Sequence, residues 1–385
     1  MAETTKIGWT DATWNPVTGC SIVSPGCTNC YAMGLAGTRL KHHPSRAGLT
    51  TDSKAGPVWS SKVRLNEAWL TQPLQWKRPR RIFVCAHGDL FAEGVPDEWI
   101  DRVFAVMARA PQHTFQVLTK RAARMREWFE ERWQPAPAQR IVFPGLPAYD
   151  MPAQAEGDDR HERVYQATGE FLDLDTVSDR FWNPDGSRKW QGWPLPNVWL
   201  GVSAEDQRRA NERVPDLLAT PAAVRFVSAE PLLGPIDFRD IKPLDRAELN
   251  ALRGMNFDQG MPCERLDWVI VGGESGAQAR PTHPAWVRAI RDQCATAGTA
   301  FFFKQWGSWQ PRAWCRDGGT HAMREGSGQI SFQAIQSHPN SIERVGAGPE
   351  WSAFALVGKK AAGRALDGEE HNGMPPLGQD TECGR

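Results

Sequence analysis

The chain has 385 residues, 41% of them hydrophobic and 23% charged, with 45 Lys and Arg set against 45 Asp and Glu. That length suits one large α/β domain with insertions or two ordinary domains. The zero net charge removes any global electrostatic argument for a nucleic-acid or membrane partner, while leaving room for a local basic groove. No apolar run reaches the length of a membrane span and the first residues lack the apolar core of a signal peptide, so a cytoplasmic protein without a membrane partner is expected.

Near the N-terminus, Trp14-Asn-Pro-Val-Thr-Gly-Cys20 leads into Cys27-Thr-Asn-Cys30-Tyr31, which sets three cysteines in a Gly- and Pro-punctuated loop at C-x6-C-x2-C spacing. Eight cysteines in a cytosolic chain point to metal or buried thiols, not disulfides. Cys85, Cys263, Cys294, Cys315 and Cys383 are scattered and read as packing or surface thiols. A structural zinc site takes four protein ligands, so zinc would need His42, His43, Cys85 or His87 beside Cys20, Cys27 and Cys30. A [4Fe–4S] cluster held by three cysteines leaves one iron open, the arrangement that enzymes of the radical S-adenosylmethionine (SAM) type use. Spacing alone leaves both open.

Beyond the loop, residues 62–76 read as a helix and its exit. Arg81-Ile-Phe-Val-Cys-Ala-His-Gly88-Asp89 is an apolar run that ends in polar groups, as a buried strand would. Pro96 and the acids after it open an amphipathic helix. Thr114 to Lys120 is a strand, followed by a charged helix from Arg121 to about Trp133. The alternation breaks over 134–195, rich in Pro, Gly, Asp and Arg, which reads as an insertion or lid. It resumes with a strand from Asn197 to Ser203, a helix from Glu205 to Ala219 and a strand from Val224 to Glu230. A second irregular insertion covers about 235–265. The strand Asp267 to Gly276, the helix from Pro284 to a Gly stop, and the strand Thr299 to Trp306 complete the pattern.

Strand and helix alternate about six times with near-continuous apolar strands, which predicts a parallel sheet. No G-x-G-x-x-G opens an early helix, so a full or partial (β/α) barrel fits better than a dinucleotide-binding domain. Function in a barrel collects at the C-terminal ends of the strands. Those ends supply Asp89, Thr119, Lys120, Ser203, Glu205, Ser228, Glu230, Glu274, Ser275, Lys304 and Gln305. Each also has a plainer explanation: Glu205 in the first turn of its helix, Gly272-Gly273 as a tight turn, Lys304 snorkelling to solvent, and His87 as a hydrogen-bonded structural histidine. Their recurrence at one end of successive strands favours a site. The 18 tryptophans fit a core first and base stacking second.

Assembled, these segments resemble the phage and prophage three-Cys-motif proteins, a radical-SAM-like family. The resemblance rests on Ile7 to Cys20, Cys27-x-x-Cys30-Tyr31-Ala, Gly88-Asp89-Leu-Phe91, Leu118-Thr-Lys120-Arg121, Gly201-Val-Ser203, Ser228-Ala-Glu230-Pro-Leu-Leu-Gly, Val271-Gly-Gly-Glu274-Ser275-Gly, Phe303-Lys304-Gln305-Trp306-Gly and Gly358 to Gly368, which span nearly the whole chain. The chain departs from the usual radical-SAM pattern in three places. The first cysteine gap is six residues rather than three. Asn29 precedes the third cysteine where an aromatic is usual, and Gly272-Gly273-Glu274 falls on a late strand, with Gly88-Asp89 in the early position.

The resemblance implies a partial barrel of about six to seven parallel strands over residues 1–307, with insertions at about 134–195 and 235–265, and a C-terminal extension over 308–385 that packs on or near it. It implies that Cys20, Cys27 and Cys30 bind a [4Fe–4S] cluster and that SAM is cleaved to a 5′-deoxyadenosyl radical. Asp89, Ser203, Glu205 and Glu230 are the expected SAM ligands, with Ser275 and Gln305 also placed among the cofactor-binding residues. Lys120, Glu274 and Lys304 are the expected catalytic side chains facing the substrate. The expected partners are a nucleic acid or nucleotide substrate, an electron donor and a second phage- or prophage-encoded protein. Two other classes compete: a zinc-stabilised nucleic-acid-binding or phage accessory protein without redox chemistry, and a metal-dependent hydrolase using Asp89, Glu230 and Glu274 with His87.

Overall fold

The computed structural model describes residues 5–130, 139–141, 149–151, 159–170, 193–244, 247–256, 263–312, 321–324, 333–334 and 351–376. Seven strands form one sheet: β1 (Ala12–Trp14), β2 (Arg81–Val84), β3 (Thr114–Thr119), β4 (Val198–Ser203), β5 (Val224–Ala229), β6 (Trp268–Gly272) and β7 (Ala300–Gln305). They lie in chain order across the sheet and every neighbouring pair is parallel, the arrangement of a partial (β/α) barrel. The chain thus forms a mixed α/β fold around a seven-stranded half-barrel. Parallel order requires a crossover after each strand. Among the described helices these crossovers include α1 (Tyr31–Gly37), α2 (Asp97–Ala108), α3 (Ala122–Glu130), α4 (Asp159–Glu170), α5 (Gln207–Ala219) and α6 (Pro284–Ala297).

Local chemistry sets these boundaries. In α2, Asp97 and Glu98 occupy the first turn, where the helix dipole favours acids, and Ile100, Val103, Phe104 and Met107 bury one face. In α6, Pro284 begins the helix and Gly298 ends it in the left-handed region at φ 70°. The strands of the middle of the sheet are apolar and buried on both faces, as β4 and β6 show along their whole length.

Pleating divides the strands between two environments. The face toward the helices carries Ile82, Val84, Phe115, Val117, Val198, Leu200, Val202, Val227, Val269 and Val271 in one continuous core. The other face carries Phe83, Leu118, Trp199, Phe226, Trp268, Ile270 and Phe302, joined by Trp9 from the N-terminal segment. The register places Trp199 beside Val224 and Phe226 beside Trp268, so the aromatics form a floor near the strand starts. Trp268 sits at its centre, with ring centroids 6.1 Å from Trp9, 6.0 Å from Trp199, 5.7 Å from Phe226 and 6.2 Å from Phe302. Further along the same face becomes polar, two residues past Leu118, Phe226 and Phe302 at Lys120, Ser228 and Lys304, and four past Trp199 at Ser203. Gly201 makes room within this layer, since a Cβ there would lie 2.5 Å from the Phe226 ring.

Trp268→Ala opens a cavity under the floor and orphans the Gly373 carbonyl that its indole N–H reaches at 2.8 Å. It is expected to destabilise the fold by about 3–5 kcal/mol. Chemical denaturation measures this, and Trp268→Phe should lose less than half as much.

Several elements differ from the reading by pattern. β1 was not anticipated; three residues are too few for periodicity to register. The 62–76 stretch is a two-residue strand followed by two one-turn helices, Glu67–Leu70 and Gln72–Gln75, broken at Thr71 and Pro73. Within the insertion at 134–195, α4 is a regular helix that packs on α2, with Arg160 fully buried, 2.9 Å from Asp101 and 4.5 Å over the Trp128 ring. Much of the rest of that insertion lies outside the described residues. So do Cys315, Cys383 and the larger part of 308–350. The described tail, 351–376, returns to the last strand: Phe303 N–H donates to His371 O, Gly373 N–H to Phe301 O and Trp306 N–H to Gly363 O. No helix among the described residues is long and apolar enough to cross a membrane.

Candidate functional site

The three cysteines occupy the connection between β1 and α1, at the C-terminal rim of the half-barrel. The chain leaves β1 through Gly19, which bridges Gly88 beyond β2 and has φ 97°. A Cβ at Gly19 would lie 2.2 Å from the Lys62 carbonyl oxygen, so only glycine allows this approach. Pro25–Cys27 forms a single 3-10 turn, closed by the Cys27 N–H donating to Ser24 O at 2.9 Å. Cys30 stands at the N-cap of α1, where the Met33 and Ala32 amides face its sulfur.

Side chains from three other strand ends grip this loop. After β3, Arg121 donates to Cys20 Sγ at 3.3 Å and to the Ser21 carbonyl at 3.0 Å. After β4, the Glu205 carboxylate accepts the Gly26 N–H at 3.1 Å. After β6, Glu274 accepts from the Asn29 amide at 3.0 Å, while Arg280 donates to Pro25 O at 3.0 Å. Two of the three cysteines are partly accessible and Cys27 is buried.

The predicted residues fall into two groups. Asp89, Glu205 and Glu274 are internal clamps. Asp89 is 5% exposed and accepts from Thr119 Oγ1 (2.7 Å), Lys120 N–H (3.0 Å), Phe91 N–H (3.0 Å) and Arg121 (3.1 Å). Its oxygens are taken up in aiming Arg121 at Cys20. Glu205 has no exposed surface and lies before α5, whose N-cap is Asp206; the first-turn explanation is thereby excluded. Its carboxylate meets Arg213 at 3.1 Å and the Lys120 ammonium at 3.8 Å. Glu274 is held by Arg280 through three hydrogen bonds, of 2.6, 2.8 and 2.9 Å.

The second group faces inward beyond the clamps. Lys304 Nζ lies 2.7 Å from Glu230 Oε2, and Gln305 donates to Glu230 Oε1 at 3.1 Å and to Ser275 Oγ at 3.3 Å. Gly272 allows this, as a Cβ there would lie 3.1 Å from the Glu230 carboxylate. Lys304 therefore pairs across the rim and does not snorkel outward. Ser203 and Ser228 are neighbours in register, both buried. Tyr31 is 55% exposed, yet surrounding protein pushes its phenol above the ordinary range, with the Cys30 thiol and Glu230 adding to the effect. The hydroxyl donates to the Ala86 carbonyl.

The electrostatics follow from burial. Desolvation and the Asp89 charge push the Cys20 thiol up to about 12 against the pull of Arg121, so without a metal it stays protonated. Burial likewise raises Cys30. Burial alone would raise Glu205, but Lys120, Arg213, Ser24 and the Gly26 amide outweigh it and hold the carboxyl below its usual value. For Arg121, burial works against the charge and Asp89, Cys20 and Glu93 overcome it, keeping the guanidinium firmly protonated.

The cysteine set was tested against the two centres it could hold. Zinc needs four ligands converging on one ion, but among the described residues no three His, Cys, Asp or Glu side chains converge that way. The four proposed fourth ligands are elsewhere engaged or exposed. His43 Nδ1 bonds Ser45 at 2.7 Å, His87 Nδ1 bonds Arg46 at 2.9 Å, Cys85 is buried under β1, and His42 is exposed. A cubane takes its thiolates on separate irons, and three cysteines on one strand-end loop are the donor set it would use. The hydrolase set is not assembled either, since Asp89, Glu274 and His87 are each committed to a different arginine.

Arg121, Asn29, Arg280, Arg213 and Arg46 were not singled out as site residues by sequence reasoning. Arg121 alone had a signal, adjoining the polar end of β3. Trp9, Trp14, Trp128, Trp199, Trp268 and Trp286 are all buried, as the core reading of the tryptophans expects.

A family model described as "Protein of unknown function (DUF5131)" matches residues 4–375. No curated protein and no solved structure matches the chain.

Proposed function

The chain belongs to the DUF5131 family, and on that premise we propose that it is a radical SAM enzyme whose Cys20, Cys27 and Cys30 hold a [4Fe–4S] cluster. The observation that carries this reading is the placement of a three-cysteine loop on the C-terminal rim of a parallel half-barrel, tied down by strand-end side chains. When bound, the cluster would supply one electron to SAM, whose cleavage yields the 5′-deoxyadenosyl radical.

The chain's own residues supply position and shelter. Arg121, fixed by Asp89, offers a charged hydrogen bond to the Cys20 sulfur and favours its thiolate. Glu205 and Glu274 hold the loop at Gly26 and Asn29 on either side of Cys27. Glu230, Gln305, Ser275, Ser203 and Lys120 remain to meet SAM and substrate, and Lys304 can exchange its Glu230 partner for a ligand group. The exposed Ile22 and Val23, two and three residues past Cys20, offer an electron donor an apolar landing beside the cluster loop.

The substrate assigned is a nucleotide or nucleic acid. Support comes from the cations Lys120, Lys304 and Lys359, gathered about the strand-end carboxylates Glu205 and Glu230. Lys359 is brought in by the tail; burial and Lys304 lower it, with Glu230 opposing.

Anaerobic purification with iron and sulfide reconstitution tests the reading. The expected product is a brown protein with about four irons per chain that releases 5′-deoxyadenosine from SAM with dithionite. A colourless protein carrying one zinc overturns it. For the substrate, binding to an oligonucleotide should weaken steeply as salt rises, and no binding at low salt removes the nucleic-acid assignment.

A further inference from the structure

We propose that Arg46 and His87 form a binding site for a phosphate-type oxyanion just beyond the end of β2. The inference is independent of the iron–sulfur reading.

Arg46 is 3% exposed. Its Nη1 donates to Ser45 O at 3.2 Å and Ser45 Oγ at 2.8 Å, and its Nη2 to His87 Nδ1 at 2.9 Å. The Trp69 ring lies 6.0 Å from the guanidinium carbon, and Nε has no partner. None of these partners is an anion, and among the described residues no carboxylate oxygen lies within 4.0 Å. Arg64, whose guanidinium is spent on the Pro44 and Ala47 carbonyls, adds a second cation nearby. A buried guanidinium without a counter-charge is costly to the fold, and burial accordingly pulls Arg46 down to about 10. An anionic ligand would restore the balance.

His87 gives that ligand its point of attachment. Arginine can only donate, so Nδ1 of His87 must accept. Burial, followed by the Arg46 charge, pushes the imidazole down to about 4, so it is neutral at pH 7 and its proton sits on Nε2. Nε2 has no acceptor among the described residues and is not enclosed. The ring stands edge-on to the half-exposed Tyr31 at 5.8 Å. The backbone is fixed as well, since His87 N–H donates to Asn15 Oδ1 at 2.9 Å. A rigid N–H donor backed by an uncompensated guanidinium attracts an oxyanion and repels a metal ion, since Nε2 carries the proton and the Nδ1 lone pair already accepts from Arg46. With Arg46 and Arg64 together, a dianion is better matched than a carboxylate.

The test is thermal unfolding of the metal-free full chain in inorganic phosphate, in acetate and in chloride at one ionic strength. Phosphate should raise the midpoint by roughly 2–4 °C at tenfold its dissociation constant, and acetate by less. Arg46→Met and His87→Phe should abolish the rise. In chloride, Arg46→Met should unfold no earlier than wild type, because it removes a lone buried charge. In parallel, the side-chain ¹⁵N spectrum should show His87 as the Nε2–H tautomer, with Nε2 shifting on phosphate addition. The proposal is overturned by no phosphate-specific rise in the wild type, by an equal rise in both variants, by an equal rise in acetate, or by an Nδ1–H tautomer. An Arg46→Met chain that unfolds well below wild type in chloride would overturn it too, by assigning Arg46 a structural role.

Discussion

Cys27→Ala is expected to yield a folded, colourless protein with no 5′-deoxyadenosine production above background after reconstitution. Cys27 is the middle cysteine of the three in the chain and the buried one. Two thiols cannot retain a cubane against loss of iron, so metal content should fall from about four irons to near zero. The fold should survive, because the loop is held by Gly26, Asn29, Pro25 and Ser21 and not by its sulfurs. Circular dichroism and the unfolding midpoint check that half of the statement. A Cys85→Ala control separates the loop from thiols in general: Cys85 is buried 3% exposed in the main core and should leave iron content intact. Retention of the cluster in Cys27→Ala would remove the three-cysteine assignment altogether.

Glu205→Leu carries the second large effect, and it falls on stability and loop order together. The carboxylate is fully buried and faces Arg213 and Lys120, whose side chains are 7% and 17% exposed. Removing one member of a buried charge group leaves the others uncompensated, at a cost of about 3–5 kcal/mol. The Gly26 amide is orphaned at the same time, which frees the turn carrying Cys27. Denaturant unfolding should register the loss, and alkylation of Cys27 under native conditions should accelerate by about tenfold or more as the turn opens. Glu205→Gln, which keeps an acceptor for Gly26, should lose less. The pH dependence has a definite sign. The Glu205 carboxyl titrates lower in the folded chain than in the unfolded one. Its stabilisation is therefore complete above the ordinary value of 4.5 and is lost as pH falls through the lowered native value. The Glu205→Leu chain should lack that component of acid sensitivity.

The amino-acid sequence alone determined the elements that local physics dictates. β4 and β6 are buried along their whole length and β5 and β7 carry the apolar stretches Phe226–Val227 and Phe301–Phe303, and burial on both faces of a parallel sheet leaves little alternation to confuse them. α2 announces itself through Pro96 and the acids after it, and α6 through Pro284 at its start and the glycine at its end. The cysteine loop was visible because spacing is a property of the chain. β1 was not, since three residues cannot establish a period and its strand state depends on pairing with β2.

What each polar side chain does was decided only by tertiary structure. Nothing local distinguishes Glu205 and Glu274, which clamp the loop, from Glu230, which pairs with Lys304 and Gln305; all three are carboxylates at strand ends. Their partners lie far along the chain. Gly26 meets Glu205 across 179 residues, Arg121 meets Cys20 across 101, and Asn29 meets Glu274 across 245. A hydrogen bond acts over about 3 Å and is blind to sequence distance, so these assignments exist only once the barrel has brought its strand ends together. The same holds for Arg46, whose lack of a counter-ion is a fact about its surroundings, and for the tryptophans, whose composition could not say that Trp9, Trp199 and Trp268 would close the barrel floor.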